Sequence, residues 1–250
     1  MSEQNDNGYR KIVKIAGFSE KEVREKLDDY LTSNNPKVDL CGNDGEVKVT
    51  IEAMDSGEDS AKKLGKAVVK EVKDLFGSAI YSTDDEVTLE HSIVDLLKTN
   101  NLTVATVESC TGGMVASRII DVPGASDVYK EGFVTYSNKA KKNRVGVKKS
   151  TLLKHGAVSE QTAKEMAKGC INVTKADVAI ATTGIAGPDG GTEGKPVGLV
   201  YIGCNVCGKT KVSEYHFDGD RMSVRCQATC AALALLRMCV LEYYSEKNFS

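Results

Sequence analysis

The chain has 250 residues, 41% of them hydrophobic and 27% charged, with a formal net charge of −2. This is the composition of a folded globular chain long enough for one large or two modest domains, and it excludes disordered, collagen-like and coiled-coil readings. The near-neutral balance gives no overall polycationic grip on nucleic acid, but the charge is uneven, −7 over residues 1–90 and +5 over 91–250, which predicts two units, the second better suited to an anionic ligand.

The N-terminus is polar, without an apolar leader, so residues 1–8 are expected to be a loose tail. Arg10 to Ala16 alternates as a strand, and Gly17 breaks it. Ser19 and Glu22 have capping-box spacing and open a helix with Val23, Leu27, Tyr30 and Leu31 on one face. Two strand-like runs, Lys37 to Leu40 and Glu46 to Ala53, flank Gly42-Asn43-Asp44-Gly45. That tetrapeptide has the spacing of a KH nucleic-acid loop, but it joins strands and reads as a hairpin turn. A charged helix is expected from Glu58 to Phe76, with Leu64, Val68, Val72 and Leu75 inward. The order β-α-β-β-α predicts a small α+β domain over 9–79 and a second domain over 80–250. Thr83 and Glu86 repeat the capping-box spacing ahead of a helix that runs to Thr99, with Leu89, Ile93, Leu96 and Leu97 as its apolar face.

Beyond it, strands are expected over Leu102–Val107, Gly132–Tyr136, Asp177–Thr183, Val197–Cys204 and Lys211–Phe217. Helices alternate with them: one through Ile120, then Lys139–Arg144, Ser159–Val173 and Arg221–Tyr243. The fold class is therefore α/β, a three-layer α/β/α sandwich. No stretch reaches the ~18 uninterrupted apolar residues of a membrane span. The most apolar run, Met222 to Tyr244, is broken by Arg225, Gln227 and Arg237 and reads as a core helix.

Three loops sit at the C-terminal ends of expected strands, where open α/β sheets bind ligands. In Glu108-Ser109-Cys110-Thr111-Gly112-Gly113 a serine stands at a new helix N-terminus, either a nucleophile beside oxyanion donors or an ordinary N-cap. In Thr135-Tyr136-Ser137-Asn138-Lys139, Lys139 lies in a first helical turn near Lys141, Lys142 and Arg144. There it is either a lysine of lowered pKa able to take a hydroxyl proton, or part of a solvated basic helix. The glycine-rich stretch Thr182 to Pro196, with Gly184, Gly190 and Gly191, is a phosphate-wrapping loop or a lid without chemistry; it matches neither a Walker loop nor a dinucleotide fingerprint. Eight cysteines without a leader are expected as reduced thiols in a cytoplasmic protein. Cys204 with Cys207 and Cys226 with Cys230 read as buried thiols more readily than as zinc ligands, and no metal or cofactor is expected.

Taken together, the segments ATVESCTGG, GFVTYSNKAK, LLKHGAVSEQTAKEMA, TTGIAGPDGGTEGKPVGLVYIG and GDRMSVR resemble the CinA C-terminal family, the nicotinamide-nucleotide amidase (PncC) group, over Thr88 to Tyr243. Residues 9–87 resemble the small KH-like domain that precedes it in full-length CinA proteins. The molybdopterin-binding-like front domain of those proteins is not matched, so the resemblance implies the amidase but not the pyrophosphatase. It implies hydrolysis of the carboxamide of nicotinamide mononucleotide to nicotinate mononucleotide and ammonia, in pyridine-nucleotide salvage, by a homodimer. By motif, Ser109 resembles the nucleophile, Tyr136 and Lys139 its activating partners, and Thr183 a residue that positions the reacting group. Cys110, Thr111, Gly112, Gly113, Gly184, Gly190 and Gly191 would line the substrate, and Arg221 or Arg225 would meet its phosphate. The competing readings are a competence- or damage-linked adaptor without activity and a nucleotide-binding module with a dead site. The acidic first unit argues against nucleic acid as a partner.

Overall fold

The structure is a computed structural model and describes residues 8–57 and 59–248. The chain divides into two compact units, residues 1–89 and 90–250. In the first, the elements run β1 (Gly8–Ala16), α1 (Glu20–Lys26), α2 (Asp28–Leu31), β2 (Lys37–Asn43), β3 (Glu46–Met54), α3 (Ala61–Phe76) and β4 (Ile80–Ser82). The sheet order is β2-β3-β1-β4, with antiparallel pairing throughout. Val13, Ile15, Val49 and Ile51 alternate inward against Val68, Val72 and Phe76 of α3, as period-2 and period-3.6 patterning require. The Ser19–Glu22 capping box forms in both directions. Asn43 pairs with Glu46, leaving a two-residue turn of Asp44 and Gly45, both at positive φ (47° and 94°), the backbone that favours Asn, Asp and Gly in tight hairpins.

Several expectations are corrected here. The tail expected over 1–8 lies outside the described residues except for Gly8, which begins β1. Glu58 likewise lies outside them; α3 begins at Ala61, capped by the Ser60 side chain. Leu75 is exposed and Phe76 is buried in its place. The boundary near Ile80 falls too early, because β4 pairs with β1 and so belongs to the first unit. Thr83 and Glu86 form no capping box: the Glu86 amide donates to Asp84, and the next helix starts only at Leu89.

The second unit contains α4 (Leu89–Thr99) from its second residue on, then β5 (Val104–Glu108), α5 (Met114–Ile120), β6 (Tyr129–Val134), α6 (Asn138–Val145), α7 (Lys149–His155), α8 (Glu160–Thr174), β7 (Val178–Gly184), β8 (Leu199–Val206), β9 (Lys209–His216) and α9 (Arg221–Asn248). On α4, Leu89, Ile93 and Leu97 are buried as expected, joined by Val94 in place of Leu96. The sheet order is β6-β5-β7-β8-β9; β6, β5 and β7 are parallel, and β8 and β9 are antiparallel additions. Strand parity separates the two helical layers. A Cβ at Gly203 would meet Ala163 and Ala167 of α8, whereas the next residue, Cys204, contacts Cys239 of α9. The result is the expected α/β/α sandwich. By length and composition α9 could cross a membrane, but most of its apolar stretch is buried in the fold, packed on β7 and β8. The short helix α7 was not anticipated.

Candidate active site

Because β5, β6 and β7 run parallel, their C-terminal ends open at one edge of the sheet. Ser109 follows β5 directly. The turn after it needs left-handed backbone at Gly112 (φ 63°) and Gly113 (φ 100°), which explains the paired glycines. Thr135 follows β6, and its amide donates to the Glu108 carbonyl at 2.7 Å, bringing the second loop against the first. The Ser137 side chain caps α6 by accepting from Ala140 N.

From α6 a lysine reaches the serine, but it is Lys141, not Lys139. Lys141 Nζ lies 2.8 Å from Ser109 Oγ and 2.8 Å from the Thr135 carbonyl, and Lys141 is only 1% exposed. Two residues turn a helix by about 200°, so Lys139 falls on the opposite, exposed side. Removal from water holds the Lys141 ammonium down to about 8 from its ordinary 10.5, since burial penalises the charged form. The neighbouring Cys110 thiol is pushed up to about 11 by the same cause; it is a neutral thiol in a buried position. The hydrogen bond of the Lys141 amine goes to the Ser109 hydroxyl and not to the Cys110 thiol.

Tyr136 lies beyond β6, 65% exposed, its hydroxyl accepting from Arg221 Nη2 at 3.3 Å. No hydrogen bond joins it to Ser109 or Lys141. Thr183 points to the α8 side and donates to the Ala157 carbonyl at 2.8 Å. Its neighbour Thr182 is the threonine beside Ser109, 2.7 Å from Thr111 Oγ1 and 3.4 Å from Ser109 N. Gly184 is a close-packing position, where a Cβ would strike the Val200 backbone at 2.9 Å. Gly190 and Gly191 stand exposed in the glycine loop. The base of that loop is clamped by Lys195 Nζ, which donates to the His155 and Val158 carbonyls, each at 2.6 Å.

The two arginines differ. Arg225 donates from Nε to the Cys110 carbonyl at 3.1 Å and from Nη2 to the Thr111 carbonyl at 2.9 Å, bracing the turn after Ser109. Exposed Arg221 donates to the Gly187 carbonyl at 2.8 Å and retains further donors. Both line a cleft of about 430 Å³ with Ala186, Gly187, Pro188, Val197 and Met222, a size that suits a small organic ligand.

Glu108 is a site residue that no sequence motif marks. It is 1% exposed, and its carboxylate accepts from Gly113 N (2.8 Å), Val115 N (3.2 Å), Ala116 N (2.9 Å) and Thr111 Oγ1 (2.6 Å). The N-terminal amides of α5 are thus satisfied internally by a negative group, as the helix dipole favours. In the turn after Ser109 the Gly113 amide is engaged by Glu108, and the Cys110 and Thr111 amides face the Cys110 sulfur.

The site thus holds a serine–lysine pair at the parallel edge of an open α/β sheet, where folds of this class bind their ligands. Residues 86–240 match the CinA C-terminal domain family and residues 10–82 match the KH domain of damage-inducible protein CinA. The chain belongs to the CinA family. It is 49% identical over 230 residues to a protein of Clostridium novyi named as competence-damage inducible, covering 92% of this chain and 55% of that one. A CinA-like protein of Kosmotoga olearia is 43% identical over 242 residues, 96% of this chain and 58% of its own. The chain therefore spans little more than half the length of these relatives. Among solved structures, a competence/damage inducible protein from Agrobacterium tumefaciens is 40% identical with a TM-score of 0.59, covering 61% of this chain and 93% of that one. A CinA superfamily protein from Klebsiella pneumoniae is 36% identical with a TM-score of 0.60, covering 62% and 96%.

Proposed function

We propose that the second unit is a nicotinamide-nucleotide amidase that uses Ser109 as nucleophile and Lys141 as base. The observation that carries this reading is the 2.8 Å contact between Ser109 Oγ and the buried Lys141 Nζ. Burying a lysine without a carboxylate partner costs stability. An uncharged amine held against a serine hydroxyl is a use that offsets the cost. The substrate follows from the motif resemblance, and a cleft flanked by two arginines suits a molecule carrying a phosphate.

In this reading the neutral Lys141 takes the Ser109 proton as Oγ attacks the carboxamide carbon. The carbonyl electrons move to oxygen, which the turn amides hold; one such donor is worth ~3–4 kcal/mol. The Lys141 ammonium returns the proton to the departing nitrogen, which leaves as ammonia. Water, deprotonated by Lys141, then attacks the ester, and the carboxylate departs as Ser109 regains its proton. The Thr135 carbonyl keeps the amine oriented through both halves. Arg221, with Tyr136, is the partner for phosphate, while Arg225 is committed to the turn.

The test is ammonia release from nicotinamide mononucleotide. Wild type should turn over, and Ser109→Ala should lose ~10⁴-fold or more while staying folded. Wild type that binds the nucleotide without releasing ammonia would show the site to be a binding module. Turnover undiminished in Ser109→Ala would assign the chemistry to another group.

A further inference from the structure

Glu108 sits directly before the nucleophile, yet its side chain turns away from the cleft and into the protein. Its four hydrogen-bond partners are all donors, so the carboxylate acts only as an acceptor. That fact orients its neighbours. Thr111 must give its only hydroxyl proton to Glu108 Oε2, at 2.6 Å. At the 2.7 Å contact between Thr111 Oγ1 and Thr182 Oγ1, either oxygen could donate on distance alone. With the Thr111 proton already spent, Thr182 is the donor. Thr182 Oγ1 then keeps a lone pair for the Ser109 amide, 3.4 Å away. A one-way chain results, from Ser109 N–H to Thr182, to Thr111, to Glu108.

We propose that Glu108 is a positioning residue for the nucleophile, fixing through Thr111 and Thr182 the direction of a buried hydrogen-bond chain that sets the Ser109 turn against Lys141. The chain crosses from β5 to β7, two strands whose register is already set by parallel pairing, so the nucleophile is tied to the sheet as well as to α5. Each hydroxyl donates once: loss of Thr182 removes the acceptor of the Ser109 amide, and loss of Thr111 leaves Thr182 only the Cys110 thiol as a side-chain partner. The inference rests on the amidase reading for its kinetic consequence but not for its structural one.

The experiment compares Thr111→Val, Thr111→Ser, Thr182→Val and Glu108→Gln in the full chain, by amide hydrogen exchange over residues 109–116 and by ammonia release. Valine at 111 or 182 should accelerate exchange in this segment. It should also lower kcat by ~10²-fold, as expected for a displaced reacting group, with KM little changed. Serine at 111 should restore both. The pH midpoint should stay at the wild-type value in every variant, because burial and not Glu108 governs the Lys141 amine. A moved midpoint would mean Glu108 acts on the base electrostatically and would overturn the proposal. So would unchanged exchange in Thr111→Val and Thr182→Val, or faster exchange with undiminished kcat. If wild type itself releases no ammonia, the amidase reading fails, and the exchange data still decide whether the chain holds the turn. If Glu108→Gln does not fold, the two threonine positions carry the test.

Discussion

Gly169 of α8 lies directly against the carbonyl of Val145 at the end of α6: a Cβ at position 169 would sit 1.7 Å from that oxygen. The helix that carries Lys141 is therefore seated by backbone contact on α8. Gly169→Ala should push α6 outward, costing about 1–3 kcal/mol as an overpacked core position and withdrawing Lys141 from Ser109. Thermal unfolding and kcat, measured together, check this; a lower Tm with unaltered kcat would show that Lys141 follows the serine independently of its helix.

In the proposed mechanism the Lys141 amine sets the pH dependence. Only its neutral form can take a proton, so kcat/KM should rise about tenfold per pH unit below 8 and level off above it. A profile flat from pH 6 to 9 would exclude this base.

The same group links stability to pH. Its folded pKa, about 8, lies below the ordinary 10.5, so between these values the unfolded chain binds more protons and stability rises with pH. Below pH 8 the full penalty is present, of the order of 3 kcal/mol. Lys141→Met should abolish ammonia release, flatten the slope of stability between pH 8 and 10.5, and raise Tm at neutral pH. Denaturant titrations at pH 7 and pH 10 provide the comparison.

Arg221 and Arg225 should separate kinetically. Arg221→Ala should raise KM for nicotinamide mononucleotide by about tenfold or more with kcat nearly kept, the loss of a charged contact being worth ~1.5–3 kcal/mol. Arg225→Ala frees the Cys110 and Thr111 carbonyls and should lower kcat. Equal changes in KM for both would mean that both meet the phosphate.

Gly65→Ala probes the first unit alone. A Cβ there would lie 2.0 Å from the Tyr9 ring, so that unit should lose stability by about 1–3 kcal/mol or more. Ammonia release at a temperature where the second unit is folded should persist. Activity lost in step with unfolding of the first unit would show that the second depends on it.

Much of this architecture is legible in the residues. Ser19 and Glu22 announce their helix, and the TVATV and VAIATT runs read as strands because neighbouring residues on both faces are apolar or small. The site is legible only to within a residue or two, and the reasons are geometric. Lys139 and Lys141 are indistinguishable in a helix whose only charges are basic until the packed face is known, and a buried lysine contradicts the rule used to find that face. Thr182 and Thr183 exchange roles because strand side chains alternate, so a one-residue slip reverses the face. β4 is three residues long and exists through its pairing with β1, which no local propensity signals. The part Glu108 plays carries no local signal, because its four donors are set by the turn that follows it.

The buried Lys141 has an evolutionary corollary. Any screen that retains variants for surviving heat would reward apolar replacements at this position and harvest sturdier, inert proteins. Lineages that have kept the lysine record a pressure other than durability, and its replacement in a homologue would mark a descendant released from that pressure.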